Sequence, residues 1–326
     1  MTADFAAART TGAAEIQVIN IAALLEGGDT TEIASAIHDA ATRVGFFYLS
    51  GHGIPQHLMN QAFAVTEDFF ALPKVDKASI AVNTNQRGWM APGMSKMQGA
   101  ATHDLKEVFF WGTEVAPDHP DLLADKPLVA ENQWPDEAFP RLRADLTPYY
   151  LAVCDVGRKV LSAIAAGFGA SENFFEPHYE FPLARGQLVY YPPSTVGDEA
   201  EKRFGVAPHT DFGVLTLLLQ DTSGGLQVRT RDGQWIEAPP IPGTLVCNIG
   251  DLLQRWSNDR FRSTVHRVIN RSGNARYSIP IFLDPNSDAV VDPRDLGADT
   301  PHHLPVVAGK HIAARNRRSF KQYQSP

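Results

Sequence analysis

The sequence places two side chains that can ligate a metal two residues apart, and a third far downstream. His209 and Asp211 stand just before the apolar run 214–219, so a strand that ends there points the imidazole and the carboxylate to the same face. His266 lies within a second strand-like run, residues 263–270. Two histidines and one carboxylate can hold ferrous iron while leaving neighbouring coordination positions open. The spacing therefore predicts a non-haem iron site.

A further pair of side chains distinguishes this arrangement from an ordinary His-x-Asp surface turn. Arg276 lies ten residues beyond His266, and Ser278 follows two residues later on a strand-like run. The planar guanidinium group of an arginine holds a carboxylate through two parallel hydrogen bonds, which a lysine cannot do. Ser278 points to the same face of the strand and adds a hydroxyl donor. A guanidinium group and a hydroxyl group therefore share one strand face.

Together these residues resemble the signature of the iron(II)/2-oxoglutarate-dependent oxygenases, and the isopenicillin N synthase-like branch is the closer match. The resemblance extends from about residue 17 to residue 286, which is most of the chain. Neighbouring segments are also similar to that branch: 45–55, 190–193, 248–251, 256–258 and 262–268.

The resemblance implies a ligand set and two co-substrates. His209, Asp211 and His266 would ligate Fe(II). The distal carboxylate of 2-oxoglutarate would meet Arg276 and Ser278, and O2 would bind at the metal position that remains open. Such a dioxygenase oxidises a small organic molecule by hydroxylation, desaturation or ring formation and releases succinate and CO2.

The resemblance also implies roles for several residues around the cofactor. Tyr191 matches a tyrosine that completes co-substrate binding, whereas Val189 stands where many relatives have asparagine, so one hydrogen bond is expected to be missing. Phe282 and Asp284 lie where relatives contact the primary substrate, and Phe110 is expected at the same cavity. An aromatic wall with one carboxylate suits a flat or amine-bearing molecule. The alternative for Phe282 is ordinary core packing.

Two other functions stay open from the sequence. Isopenicillin N synthase and the ethylene-forming oxidase of aminocyclopropane carboxylate keep the same motifs but do not use 2-oxoglutarate. In such an oxidase, Arg276 and Ser278 would bind a carboxylate of the substrate itself, or one that stands in for it. The second alternative is a non-catalytic jelly-roll binding protein, which gives no reason for three metal ligands and Arg276 to occur together.

Composition limits the class of protein. The chain has 326 residues, of which 44% are hydrophobic, enough for one large domain or a core domain with an N-terminal cap. A net charge of −8 argues against binding nucleic acid or anionic membranes, so a small molecule is the expected partner. No apolar run approaches the roughly 20 residues that span a bilayer.

Cysteine content and the start of the chain favour a cytoplasmic location. Cys154 and Cys247 are too few for a disulfide framework, and residues 1–12 lack the features of a signal peptide. The basic cluster 315–318 is interpreted as the solvated face of a helix. No feature of the sequence defines an oligomeric state.

Hydrophobic periodicity predicts an α+β fold. Helices are expected over about 30–44 and 56–71, and a long helix from about residue 138 to Gly167 should back a sheet. Residues 106–112 are strand-like. Eight short strands then predict a jelly roll, which the family resemblance makes a distorted double-stranded β-helix. They are 188–191, 205–210, 214–220, 226–229, 235–237, 244–249, 262–270 and 276–283.

The same patterns divide the chain into four regions. Residues 1–14 are expected to be flexible, and residues 15–182 form an N-terminal region with scaffold helices. Residues 183–290 form the core that holds Fe(II) and 2-oxoglutarate, and residues 291–326 pack on that core. Within the N-terminal region, residues 86–101 are rich in glycine, methionine and small residues and are a candidate lid or substrate loop.

Overall fold

The structure is a computed structural model that describes residues 7–10 and 15–323. Most helices come from the first half of the chain, and most strands come from the second. The described helices are α1 (Ala22–Glu26), α2 (Thr31–Arg43), α3 (Gln56–Ala71), α4 (Lys74–Ala78), α5 (Pro120–Leu123), α6 (Arg141–Gly167), α7 (Val196–Ala200), α8 (Asp251–Trp256) and α9 (Ala308–Ser319). The described strands are β1 (Val18–Asn20), β2 (Phe46–Ser50), β3 (Gly88–Met90), β4 (Glu107–Gly112), β5 (Arg185–Tyr191), β6 (Val206–His209), β7 (Leu215–Gln220), β8 (Leu226–Arg229), β9 (Trp235–Glu237), β10 (Leu245–Ile249), β11 (His266–Val268), β12 (Arg276–Leu283), β13 (Val290–Val291) and β14 (Val306–Val307).

The strands form one large and one small sheet. The large sheet has eight strands in the order β1-β2-β10-β7-β12-β5-β4-β3, and the small sheet has four in the order β6-β11-β8-β9. An apolar cluster takes side chains from both sheets, so the two sheets share one interior. This arrangement is the predicted double-stranded β-helix, and with the surrounding helices it gives the predicted α+β class.

Apolar side chains alternate between the two faces of the large sheet. On β4, Phe109 and Trp111 belong to the cluster that packs under the helices, whereas Val108 and Phe110 belong to the cluster shared with the small sheet. This alternation is the period of two that an extended strand imposes. It confirms the strand predicted over residues 106–112.

The long helix α6 backs the large sheet, as predicted. At Gly157, an added Cβ would lie 2.6 Å from Cδ2 of Leu283 and 3.1 Å from Cδ1 of Leu217. Glycine therefore lets the helix pack directly against β12 and β7. Among the described residues, no helix is long and apolar enough to cross a membrane.

The eight strands predicted in the second half of the chain are all present, but several have different ends. The strand predicted over 188–191 begins earlier, at Arg185. The strand predicted over 262–270 is reduced to His266–Val268. Its first part does not extend the strand because its backbone N–H groups bond outside the sheet: that of Arg262 donates to the carbonyl oxygen of Ala41 at 3.1 Å, and that of Ser263 donates to Oε1 of Gln254 at 2.7 Å.

The start of the described chain pairs with the small sheet. The N–H of Arg9 donates to the carbonyl oxygen of Trp235 at 2.9 Å, and the N–H of Glu237 donates to that of Arg9 at 2.9 Å. Arg9, within the segment expected to be flexible, therefore pairs with β9. The rest of the segment expected to be flexible, residues 1–6 and 11–14, lies outside the described residues. The division into four regions stays a prediction.

Candidate metal centre and substrate cavity

His209 and His266 are cross-strand neighbours in the small sheet. β6 and β11 are antiparallel, their Cα atoms pair directly at these two residues, and the ring centroids lie 4.2 Å apart. Nδ1 of His209 lies 2.9 Å from the carbonyl oxygen of Ala207, and Nδ1 of His266 lies 3.1 Å from that of Thr264. Because each carbonyl accepts the Nδ1 proton, each Nε2 presents a lone pair.

Asp211 completes the cluster. Its Oδ1 lies 3.8 Å from Nε2 of His209 and 3.7 Å from Nε2 of His266. Its Oδ2 accepts hydrogen bonds from the hydroxyl of Thr216 at 2.6 Å and from the amide of Asn248 at 2.7 Å. One carboxylate oxygen is therefore held by the protein while the other faces the histidines. Across the part of the chain that the structure describes, this is the one such group, with its three ligand atoms within 4.8 Å of one another.

The electrostatics of the cluster suit a cation. Burial, and then the charge of His266, lower the pKa of His209 well below its usual value. Burial alone would raise the pKa of Asp211, but the two histidines together with the hydrogen bonds from Thr216 and Asn248 outweigh it and lower this pKa. Neutral imidazoles and an ionised carboxylate are the forms that bind metals. Two nitrogens and one oxygen with an open side fit Fe(II).

Arg276 is buried in a cavity that also contains His209 and Asp211. Its Nε donates to the carbonyl oxygen of Gly224 at 2.6 Å, and its Nη2 lies 3.4 Å from Oε1 of Gln220. Its Nη1 is buried and has no hydrogen-bond partner among the described residues. A buried donor without a partner is costly, so this nitrogen fits an anionic ligand such as the distal carboxylate of 2-oxoglutarate.

The pairing of β12 with β5 assembles the rest of this cavity wall. Arg276 lies opposite Tyr191, and Ser278 lies opposite Val189. The guanidinium carbon of Arg276 is 4.8 Å from the ring centroid of Tyr191, and all four side chains line the cavity. Burial raises the pKa of Tyr191, so its hydroxyl stays protonated and can donate a hydrogen bond. Val189 brings no polar side-chain atom to this wall, as the sequence predicts.

A second cavity is also lined by His209 and Asp211. Lys106, Gln187 and Phe282 line both this cavity and the one that contains Arg276. The structure thus places Phe282 at the boundary of the two, on the β12 face that also carries Arg276 and Ser278. Because a molecule in this second cavity would lie beside the metal ligands, we call this cavity the substrate cavity.

Asp284 lies behind the substrate cavity and not on its wall, which corrects the contact with substrate expected from the sequence. Its Oδ2 is 2.7 Å from Nη2 of Arg185, and its Oδ1 accepts the backbone N–H of Val214 at 2.8 Å. A Cβ at Gly213 would lie 1.6 Å from the same Oδ1, so only glycine fits there. Asp284 acts on the cavity through Arg185, which does line it.

Phe110 is also one layer behind the wall. It is 3% exposed, and its ring packs edge-on against Phe320 with centroids 6.2 Å apart. Phe320 lines the substrate cavity, whereas Phe110 does not. The direct contact expected for Phe110 is therefore corrected to a supporting one.

The candidate substrate loop, residues 86–101, does contribute to the substrate cavity. Gln86 and Met97 lie on its wall. Oε1 of Gln86 accepts a hydrogen bond from Nη1 of Arg185 at 2.7 Å. The loop therefore helps to orient the arginine that Asp284 holds from the other side.

The sequence interpretation missed the contribution of α9. Asn316 is 1% exposed and lines the substrate cavity, as does Phe320 four residues later. Of the basic cluster expected to face solvent, Arg317 and Arg318 are exposed but Asn316 is not. The spacing of four between Ile312 and Asn316, which puts both on the buried side of α9, is the signal that could have found Asn316. Phe320 lies just past the helix end, where this spacing gives no signal.

Comparisons with known proteins define the family. Residues 16–137 match the model described as non-haem dioxygenase in morphine synthesis N-terminal, and residues 186–285 match that of the 2OG-Fe(II) oxygenase superfamily. The chain is 35% identical over 303 residues to the 2-oxoglutarate-Fe(II) type oxidoreductase hxnY of Emericella nidulans, covering 90% of this chain and 87% of the relative. It is 36% identical over 302 residues to the homoarginine-6-hydroxylase 2-ODD-233 of Oryza sativa subsp. japonica, covering 90% of each.

A solved structure shows the same similarity. The crystal structure of a full-length Neurospora crassa protein in complex with alpha-KG and thymine superposes with a TM-score of 0.82 and 31% identity, covering 92% of this chain and 96% of that one. With the metal cluster, these findings identify a non-haem iron enzyme. The chain belongs to the iron(II)/2-oxoglutarate-dependent oxygenases. It is a dioxygenase that uses Fe(II) and 2-oxoglutarate, and not the 2-oxoglutarate-independent oxidase that the sequence left open.

Proposed function

We propose that this dioxygenase oxidises a small, flat heterocycle that carries carbonyl oxygens, of the size of a pyrimidine base. In this proposal His209, Asp211 and His266 hold Fe(II). Arg276 and Ser278, with the hydroxyl of Tyr191, hold the distal carboxylate of 2-oxoglutarate. The substrate then occupies the substrate cavity, beside the metal ligands.

The unpaired Nη1 of Arg276 supports the position of 2-oxoglutarate, because it is a buried cationic donor aligned with Ser278 on one strand face. When bound, Fe(II) and 2-oxoglutarate would activate O2: 2-oxoglutarate would supply two electrons, take up one oxygen atom and leave as succinate and CO2, and the other oxygen atom would enter a C–H bond of the substrate. The protein binds and orients the two organic molecules and excludes water from between them. Phe282, at the boundary of the two cavities, separates them with an apolar ring.

Aromatic side chains favour a flat substrate. Phe212, Phe282 and Phe320 all line the substrate cavity. The faces of aromatic rings stack on planar heterocycles in offset or edge-on arrangements. A cavity with three such rings favours a planar molecule over a branched aliphatic one.

Two buried hydrogen-bond donors in the wall of the substrate cavity are the main support for the proposed substrate class. Nδ2 of Asn316 and Nε of Arg185 are buried and have no hydrogen-bond partner among the described residues. Both side chains line the substrate cavity. A buried donor is satisfied by an acceptor on the ligand, and a ring carbonyl is such an acceptor. The Neurospora crassa relative was crystallised with thymine, which is planar and carries two carbonyl groups.

The charge of the cavity argues against a cationic substrate, although one relative is named as a homoarginine-6-hydroxylase. Lys106 and Arg185 line the wall. Of the described residues on this wall, Asp211 is the one carboxylate, and it belongs to the metal cluster. Arg185 and Lys106 have carboxylate partners of their own, Asp284 at 2.7 Å and Asp104 at 3.7 Å. The described wall therefore offers a guanidinium group no unpaired carboxylate apart from the proposed metal ligand.

A direct test is turnover in vitro with a small set of candidate substrates. The enzyme, Fe(II), ascorbate and 2-oxoglutarate are incubated with thymine, with 5-formyluracil or with homoarginine, and both succinate and an oxygenated product are measured by mass spectrometry. We expect substrate-dependent succinate and a product 16 mass units heavier than thymine. Oxidation of homoarginine without oxidation of either pyrimidine would overturn the proposed substrate class while leaving the family unchanged.

We further propose that the protein works in a reducing compartment such as the cytoplasm. Cys154 and Cys247 are both free thiols, and burial raises the pKa of each. Thiols that stay protonated and buried are poor nucleophiles and form disulfides slowly. Fluorescence microscopy of the tagged protein in its native host tests this placement, and a signal confined to an organelle would contradict it.

A further inference from the structure

Arg315, in α9, contacts the segment that carries the metal ligand Asp211. Its Nη2 lies 2.9 Å from Oδ2 of Asp251 and donates to the hydroxyl of Thr210 at 3.2 Å. Its guanidinium carbon lies 4.7 Å from the ring centroid of Phe212. The sequence interpretation placed Arg315 on a solvated face, and these contacts correct that expectation.

Each of the three partners either adjoins the metal ligand Asp211 in the chain or is hydrogen-bonded to its backbone. Thr210 and Phe212 are the residues immediately before and after Asp211. The backbone N–H of Asp251 donates to the carbonyl oxygen of Asp211 at 2.8 Å. We call residues 210–212 the metal-binding turn. The guanidinium group of Arg315 thus contacts two side chains of this turn and also Asp251, the first residue of α8.

An arginine suits these contacts better than a lysine. Its planar group can stack on the ring of Phe212 while its N–H groups donate to Thr210 and Asp251 in the same plane. The side chains of Arg315 and Asp251 are 31% and 20% exposed, so solvent screens the pair only partly. The carboxylate of Asp251 is also fixed at its Oδ1, which accepts the hydroxyl of Ser263 at 2.7 Å.

The helix that carries Arg315 also forms part of the substrate cavity. Asn316, the next residue, and Phe320, just after the end of α9, both line that cavity. A displacement of α9 therefore moves the cavity wall, and a displacement of the metal-binding turn acts on α9 through Arg315.

We propose that Arg315 is a positioning residue that couples α9 to the metal-binding turn, so that metal binding orders the C-terminal wall of the substrate cavity. The coupling depends on the metal ligands proposed above, but not on the identity of the substrate. By thermodynamic linkage it is reciprocal: if metal binding stabilises α9 through Arg315, the loss of Arg315 weakens metal binding by the same factor.

Two measurements on the full-length protein test this coupling. Hydrogen exchange of the peptide covering residues 308–319 is compared without metal and with Mn(II) plus 2-oxoglutarate, and Mn(II) affinity is measured by calorimetry. Mn(II) serves as the probe because it occupies Fe(II) sites without oxidising in air. Wild type should show exchange slowed about 5-fold or more on loading, the lower end of typical coupling.

The variants separate coupling from simple packing. Arg315→Gln should lose the protection of α9 and bind Mn(II) about 5-fold or more weakly, whereas Arg318→Gln, on the exposed side of the same helix, should match wild type. Arg315→Lys keeps a charge for Asp251 but not the planar stack, so its α9 protection and its Mn(II) affinity should lie between those of Arg315→Gln and wild type. It also provides a folded variant if glutamine destabilises the helix.

Wild-type protection and wild-type Mn(II) affinity in Arg315→Gln would overturn the role of Arg315. Failure of the wild-type protein to bind Mn(II) would instead overturn the proposed metal site, and the coupling with it. Metal binding that leaves the exchange of α9 unchanged in wild type would overturn the coupling alone.

Discussion

Arg185 and Asp284 form an ion pair 2.7 Å long directly behind the substrate cavity. The side chains are 9% and 0% exposed, and Gln86 accepts a further hydrogen bond from Arg185. Two groups on opposite sides thus fix the direction in which this arginine meets the cavity. The carboxylate expected to contact the substrate instead orients an arginine that lines the cavity.

Breaking this pair should destabilise the protein. Asp284→Asn keeps an acceptor for the N–H of Val214 but leaves the charge of Arg185 buried without a counter-ion. Removal of one partner of a buried pair typically costs about 3–5 kcal/mol. Urea denaturation should show this loss, and Asp299→Asn, at an exposed carboxylate, should leave the midpoint unchanged. An unfolding free energy within about 0.5 kcal/mol of wild type would contradict a structural role for the pair.

The position of Asp284 shows one limit of the sequence. The alternation of β12 correctly put Arg276, Ser278 and Phe282 on one face, because a period of two is a local property of the chain. Asp284 continues that spacing, but it lies just beyond the end of the strand and turns towards Arg185. The partner of a side chain past a strand end depends on tertiary packing, which the local pattern does not contain.

Truncation of Phe282 should weaken the binding of the substrate more than the binding of 2-oxoglutarate. Phe282→Ala removes a ring from the boundary of the two cavities. Loss of an aromatic contact worth about 0.5–1.5 kcal/mol should raise the substrate KM by about 2- to 12-fold. Product formed per succinate should also fall, because the substrate is held less firmly. Steady-state assays of product and succinate test both effects, and wild-type values for both would mean that Phe282 is ordinary core packing.

The affinity of the protein for Mn(II) should fall more when a metal ligand is removed than when a hydrogen bond to a ligand is removed. His266→Ala removes a ligand, whereas Asn248→Ala removes only a hydrogen bond to Oδ2 of Asp211. Loss of such an outer partner typically weakens metal binding about 10- to 100-fold, so the ligand variant should lose more than that. Calorimetric titration with Mn(II) measures both. An unchanged affinity in His266→Ala would remove this histidine from the metal site.

The grouping of His209, Asp211 and His266 could be predicted from the family resemblance, and the shared face of Arg276 and Ser278 from the alternation along a strand. The contacts of Arg315 could not be predicted, since nothing near this residue in the sequence indicates that it meets Thr210, Phe212 and Asp251. These contacts join the C-terminus to a turn about a hundred residues earlier. The residues that shape the substrate cavity are therefore the ones that required the structure.

The most direct test of the account is the binding of 2-oxoglutarate to the Mn(II)-loaded protein and its dependence on Arg276. Removal of one partner of a buried, charge-assisted pair costs roughly 2–4 kcal/mol, so Arg276→Gln should raise the dissociation constant about 30- to 700-fold. Arg276→Lys should recover only part of this loss, because it keeps the charge but not the planar fork. Tight binding to wild type and this loss in Arg276→Gln are the predicted result. Wild-type affinity for 2-oxoglutarate in the folded, Mn(II)-loaded Arg276→Gln protein would contradict it.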